Sequence, residues 1–162
     1  MAEEIHGLLT DVGIDVREIE EVIVGVGPGG FTGLRIGIAT ALGLGQALHV
    51  PVRGVASIEA LALGIASHTP AGAIVVPVID AKRHEVFAAA YRCDGDGGLE
   101  TIIEPHATSA GGLLDRVETI ATAPAPAYLA GDGLHRCHEL LTEAVVALPP
   151  DSPGHQVRAF RL

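Results

Sequence analysis

An apolar run, Val22-Ile23-Val24, passes directly into Gly25-Val26-Gly27-Pro28-Gly29-Gly30-Phe31-Thr32-Gly33-Leu34-Arg35, which opens a long helical pattern. A glycine loop between a strand and a helix N-terminus restricts the chain to α/β arrangements that set a phosphate or a subunit contact at that corner. Gly25, Gly27 and Gly30 satisfy G-x-G-x-x-G, a weak signal by itself. A dinucleotide fold also needs an Asp or Glu about 20 residues on, whereas after Glu21 the next acidic residue is Glu59. Pro28 leaves the loop one backbone N–H short. Gly25, Gly30 and Thr32 also fall in P-loop register, but Phe31 stands where the phosphate-binding Lys belongs. The residues therefore favour a tight turn that brings a helix close to a strand over any nucleotide site.

The helix supports that reading. Gly33, Gly37, Ala41 and Gly45 recur at i+4 and form one ridge of small residues. Each interior glycine costs a helix about 1 kcal/mol relative to Ala, so the ridge predicts close approach of another backbone. Leu34, Ile36, Ile38, Leu42, Leu44 and Leu48 make the helix apolar nearly all round. Such a helix is expected to be buried, in a core or in an interface. Arg35 in its first turn, the glycines and Gln46 argue against a membrane span. A buried Arg35 demands a partner: either a salt bridge to Glu3, Glu4 or Asp11 of the first helix, or a place at a subunit interface.

The remaining pattern completes an α/β order. Ile5, Leu8, Leu9 and Val12 mark an amphipathic helix ending at Gly13. Strands are expected at Val22–Gly25 and Pro51–Val55, and helices at 32–49 and from Ser57 to about Ser67. Residues 73–79 and 85–91 read as two strands around a charged turn, with a further strand at 99–103. Ser109 caps a helix to about Ile120, and another helix runs from about Leu134 to Ala147. The Pro-rich tail from Pro149 reads as disordered. Net charge is −10 and Lys82 is the only lysine, so the chain is not expected to grip nucleic acid by itself. Two cysteines, Cys93 and Cys137, are too few for a disulfide framework. The acidic N-terminus lacks a signal peptide's basic region, which points to a cytoplasmic protein with reduced thiols.

Gly27 to Thr40 resembles the signature of the TsaB (YeaZ-like) family, usually G-P-G-S-F-T-G-L-R-I-G, with Gly30 in place of the serine. Gly54 to Leu61 resembles the family's strand-to-helix segment, and Asp80 to Phe87 its D-A-R-R-x-E-V-Y hairpin. The resemblance covers roughly residues 3–135. It implies an actin/Hsp70-like (ASKHA, ribonuclease H-like) α/β fold. It further implies a non-catalytic scaffold subunit in the formation of N6-threonylcarbamoyladenosine (t6A) at position 37 of tRNAs reading ANN codons. The implied partners are a TsaD-type catalytic subunit and a TsaE-type ATPase, with a homodimer as an alternative and tRNA met only through the complex. Gly33, Arg35, Gly37, Ala41 and Gly45 become partner-interface candidates, beside the glycine loop Gly27, Pro28, Gly29, Gly30, Phe31 and Thr32. Family members carry three strands and an I-D-T loop ahead of the segment equivalent to Val22–Gly25. The chain is therefore expected to lack the first three strands of its first lobe. Residues 1–56 are expected to form the rest of that lobe, 57–147 a second lobe, and 148–162 a disordered tail.

The chemistry-bearing residues are sparse. Asp80, Lys82, Arg83 and Glu85 cluster in a hairpin turn, where a carboxylate beside bases suits acid–base work but also suits a solvated tip. The resemblance adds a third reading, a turn linked to partner binding. His135 and His138 flank Arg136 and Cys137 at helical spacing, but further metal ligands are not apparent. No cofactor and no metal are expected, and no nucleophile–base constellation can be read. The alternative is an ASKHA-type nucleotide-dependent enzyme or a glycoprotease-like hydrolase.

Overall fold

The computed structural model describes residues 2–120, 127–137, 146–147 and 158–160. The chain divides into two units, residues 1–57 and 58–162.

In the first unit, helix α1 spans Ala2–Val12 and stops where Gly13 takes φ 70. A 3-10 turn, Val16–Glu18, follows under a reciprocal cap: the Arg17 N–H donates to Asp15 Oδ1 and the Asp15 N–H to Glu18 Oε2. Strand β1, Val22–Gly25, runs parallel to β2, Val52–Val55, with Val22 opposite Val52 and Gly25 opposite Val55. Between them lies α2, Phe31–Leu48, closed by His49 in the left-handed region at φ 57 with its N–H on the Gly45 carbonyl. These match the boundaries expected from the pattern to within two residues.

In the second unit, α3 spans Ser57–Ala66, and β3, Ile74–Lys82, forms a hairpin with β4, Glu85–Cys93. Strand β5 extends over Leu99–Ser109, well beyond the expected Ile103, because β4 supplies a partner along its whole length. Helix α4, Ala110–Ile120, begins where the Gly112 N–H donates to Ser109 Oγ at 3.1 Å, as a capping serine should. Strand β6, Ala127–Ala130, pairs in parallel with β3 and leads into a 3-10 turn, Asp132–Arg136. The sheet order is β5-β4-β3-β6-β8-β7, where β7 is Val146–Ala147 and β8 is Arg158–Phe160. The helix expected from Leu134 to Ala147 is thus a 3-10 turn at its start and a short strand at its end. Arg158–Phe160, expected in a disordered tail, pairs with β6. Residues 138–145, 148–157 and 161–162 of those two expectations lie outside the described residues.

Two apolar layers sandwich the sheet. Ile74, Val76, Val78, Val86, Ala88 and Leu129 pack on one face against Leu113 and Val117 of α4. Val75, Ala89, Tyr91 and Ala130 pack on the other against Ile58, Ala62 and Ile65 of α3. Helices on both faces explain why β3 reads as an unbroken apolar run rather than an alternating one. The edge strand β5 is largely exposed and carries Glu100, Glu104 and Pro105. Charge and a missing donor are how an edge resists pairing with foreign strands.

Candidate functional site

The glycine loop fastens the first unit together. Past β1, the Val26 N–H donates to the Val55 carbonyl at 3.0 Å, and the Gly27 carbonyl accepts from the Ser57 N–H at 2.8 Å. Gly27 sits at φ 106, where a side chain would be strained, and any Cβ there would lie 3.2 Å from Leu34 Cδ1. The Gly27–Pro28 peptide is cis, and Gly30 caps α2 without a side-chain hydrogen bond. The loop's residues therefore do what the tight-turn reading requires.

The helix that follows departs from expectation. Only Ala41 and Gly45 of the small-residue ridge are buried. A Cβ on Gly45 would collide with Val52 Cγ2 and lie 3.1 Å from the Val50 carbonyl oxygen, so the close approach is to this unit's own β2. Added Cβ atoms at Gly33 and Gly37 would meet nothing within 4 Å. Arg35 is exposed rather than buried, its guanidinium 5.0 Å from the centroid of Phe31, so neither the burial nor the demand for a salt bridge to α1 holds. Phe31, Ile36 and Leu42 are exposed by 72%, 49% and 56%, together with Ala39, Gly43 and Gln46 on the same broad arc. One side of α2 is thus an uncovered apolar face carrying a single charge.

The second cluster centres on Asp80, which β3 carries to the end of the sheet with its side chain 5% exposed. Lys82 donates twice to this carboxylate, from its N–H to Oδ1 and from Nζ to Oδ2, both at 2.8 Å. Arg136 reaches Oδ1 from Nε at 3.3 Å, and His135 Nε2 lies 3.7 Å from Oδ2. The Asp80 N–H donates to Asp132 Oδ1 at 3.0 Å. The Lys82 ammonium and N–H, then Arg136, hold the Asp80 carboxyl well below the usual carboxylate range despite its burial. Arg83 and Glu85, grouped with Asp80 in the sequence reading, are exposed and take no part in these bonds. Their places are taken by Asp132, His135 and Arg136.

The signal for those three lay in Gly131-Asp132-Gly133 immediately after β6. Parallel pairing of Pro77 with Ala130 sets this triplet beside Val78–Asp80. Gly131, at φ 129, has no room for a Cβ against the Val78 carbonyl, and one on Gly133 would lie 2.8 Å from Val78 Cγ1. His135 Nδ1 bonds the Asp132 carbonyl oxygen, which holds the ring beside Asp80. His138 lies outside the described residues. Burial pushes the Cys137 thiol up. Among the described residues, no three of His, Cys, Asp and Glu are grouped to hold a metal ion, and no helix is long and apolar enough to cross a membrane.

Residues 1–144 match the family described as "TsaD: tRNA N6-adenosine threonylcarbamoyltransferase". An uncharacterized protein of Mycobacterium leprae is 37% identical over 145 residues, covering 88% of this chain and 37% of that protein. The tRNA threonylcarbamoyladenosine biosynthesis protein TsaB of Escherichia coli is 37% identical over 107 residues, covering 63% and 46%. A crystal structure from Pseudomonas aeruginosa, described as similar to peptidase YEAZ, superposes with a TM-score of 0.66 at 28% identity, covering 83% of this chain and 60% of that one. YeaZ from the same organism superposes at 0.56 with 29% identity. The mixed α/β fold is accordingly ASKHA-like. The chain spans about half or less of the length of the curated relatives named here.

Proposed function

From the premise that this chain belongs to the TsaD family and is TsaB/YeaZ-like within it, we propose that it is a non-catalytic scaffold subunit for t6A formation at position 37 of tRNAs reading ANN codons. In this reading it acts in the cytoplasm, pairs with a TsaD-type catalytic subunit, and the pair supports a TsaE-type ATPase. The observation that carries it is the uncovered face of α2. A helix with Phe31, Ile36 and Leu42 turned outward leaves apolar area in water, and exposed apolar patches of this kind mark interaction sites. The interface consists of Phe31, Arg35, Ile36 and Leu42, with Gly33 and Gly37 at its border. Ala41 and Gly45 stand behind it, fixing α2 to β2.

Two positive observations support a scaffold rather than a catalyst. Asp80 is already engaged by Lys82, Arg136 and the backbone, and Phe31 occupies the place of a phosphate-binding lysine. The test is Leu42→Asp, with Ile36→Asp as a second variant. Both positions are exposed, so the melting temperature should stay near that of the wild type. Co-purification with the TsaD-type subunit should be lost, and with it t6A synthesis in the reconstituted system. Undiminished pairing would remove the α2 face from the proposal. A calorimetric response to ATP·Mg by the isolated chain would favour the nucleotide-dependent alternative.

A further inference from the structure

We propose that the tip of the β3–β4 hairpin is a contact for the phosphate backbone of RNA, an inference that rests on the tRNA-linked role given above. Lys82, Arg83 and His84 lie at φ 64, 50 and 66, three consecutive non-glycine residues in the left-handed region. Lys82 pairs with Glu85, leaving Arg83-His84 as the two-residue turn. A turn with both central residues left-handed ordinarily carries Asn-Gly. Here the sequence breaks its own local rule in favour of two exposed cations, Lys82 and Arg83, and the exposed His84. Strain kept at an exposed position points to use of the side chains it displays.

The surroundings add to the charge. The 3-10 turn brings the Arg136 guanidinium to the same end of the sheet, where it bonds Asp80. Lys82, Arg83 and Arg136 are three of the ten Lys and Arg residues in a chain of net charge −10. Of the nearby carboxylates, Asp80 is buried, whereas Glu85 and Asp132 are exposed. Asp80 is 5% exposed, and Asp132 has Oδ1 on the Asp80 N–H. Lys82, by contrast, is 75% exposed and uses one ammonium donor internally. A protein partner would want an apolar centre to the contact. Among the described residues, none of the exposed large hydrophobics lies at this tip. Arg and Lys without apolar neighbours are what phosphate contacts use.

The experiment uses the full chain in complex with its TsaD-type partner and an unmodified tRNA reading ANN codons, with affinity measured across a salt series. Arg83→Ala should weaken binding roughly fivefold at physiological salt and lower the log–log salt slope by about one. Arg83→Lys should restore both. Arg83→Gly, which suits the left-handed turn, should lose affinity while keeping or improving stability, so that charge is separated from folding. Arg92→Ala, at the far end of β4 and paired with Glu100, should bind as wild type. An unchanged affinity and slope for Arg83→Ala overturns the inference, as does loss of the protein partner in place of RNA. If the wild-type complex shows no affinity for tRNA, the role proposed for the chain falls as well.

Discussion

Asp80 shows how one side chain can be readable as charged yet not as structural. The sequence places it in a turn with Lys82, Arg83 and Glu85, but only Lys82 among these becomes its partner. Arg136 and His135 arrive from more than fifty positions away, through the parallel pairing of β3 with β6, and local spacing carries no trace of that. The consequence is a defined acid response. An unfolded Asp titrates near pH 3.9, and Asp80 titrates lower in the folded state because Lys82 and Arg136 favour its charged form. Its contribution to stability is therefore fully present above about pH 4 and lost as pH falls toward the folded value. Urea unfolding between pH 6 and acid should show Asp80→Asn less stable than wild type at the upper end, with the difference shrinking below about pH 4. A constant difference across the series would mean that the ion pairs contribute nothing.

At the scale of an element, α2 separates what a helical repeat can and cannot specify. Its length, its start after Gly30 and its small-residue ridge were all legible in the sequence. The direction in which the ridge faces was not, because an apolar pattern on every side leaves the helix's rotation undetermined until β2 is in place. Val50 and Val52 settle it by packing onto Gly45. Two glycines of one ridge should then respond with opposite sign. Gly45→Ala overfills the contact with Val52 and should destabilise by about 1–3 kcal/mol. Gly37→Ala meets open space and should gain up to about 1 kcal/mol from helix propensity. Chemical denaturation of both variants checks the pair, and equal effects would mean that α2 is rotated differently. Arg35 is exposed for the same reason: the hydrophobicity of its neighbours does not fix which side of the helix is covered.

Across the whole molecule, the two units are unequally built. Among the described residues, the first unit has a sheet of two strands, and Ala41 is its one buried hydrophobic side chain. The second encloses β3 between two apolar layers. A two-stranded sheet is marginal by itself, so local opening should differ sharply between the units. Hydrogen exchange should show the amides of β1 and β2 losing protection well before those of Val75, Val76 and Val78. Comparable protection would show that contacts of another kind stabilise the first unit. The family and the order of elements as far as α4 were readable because motif and pattern are local. The division of stability between the units was not, since it depends on which faces find cover.

Pro105 sets a limit on growth. It falls at the seventh of the eleven residues of β5, with Glu104 just before it. A second chain zipping along this rim would be interrupted there, with only six residues on one side and four on the other to hold it. During refolding at high concentration, the sheet of the second unit should thus end at β5 and not seed a fibre from that side.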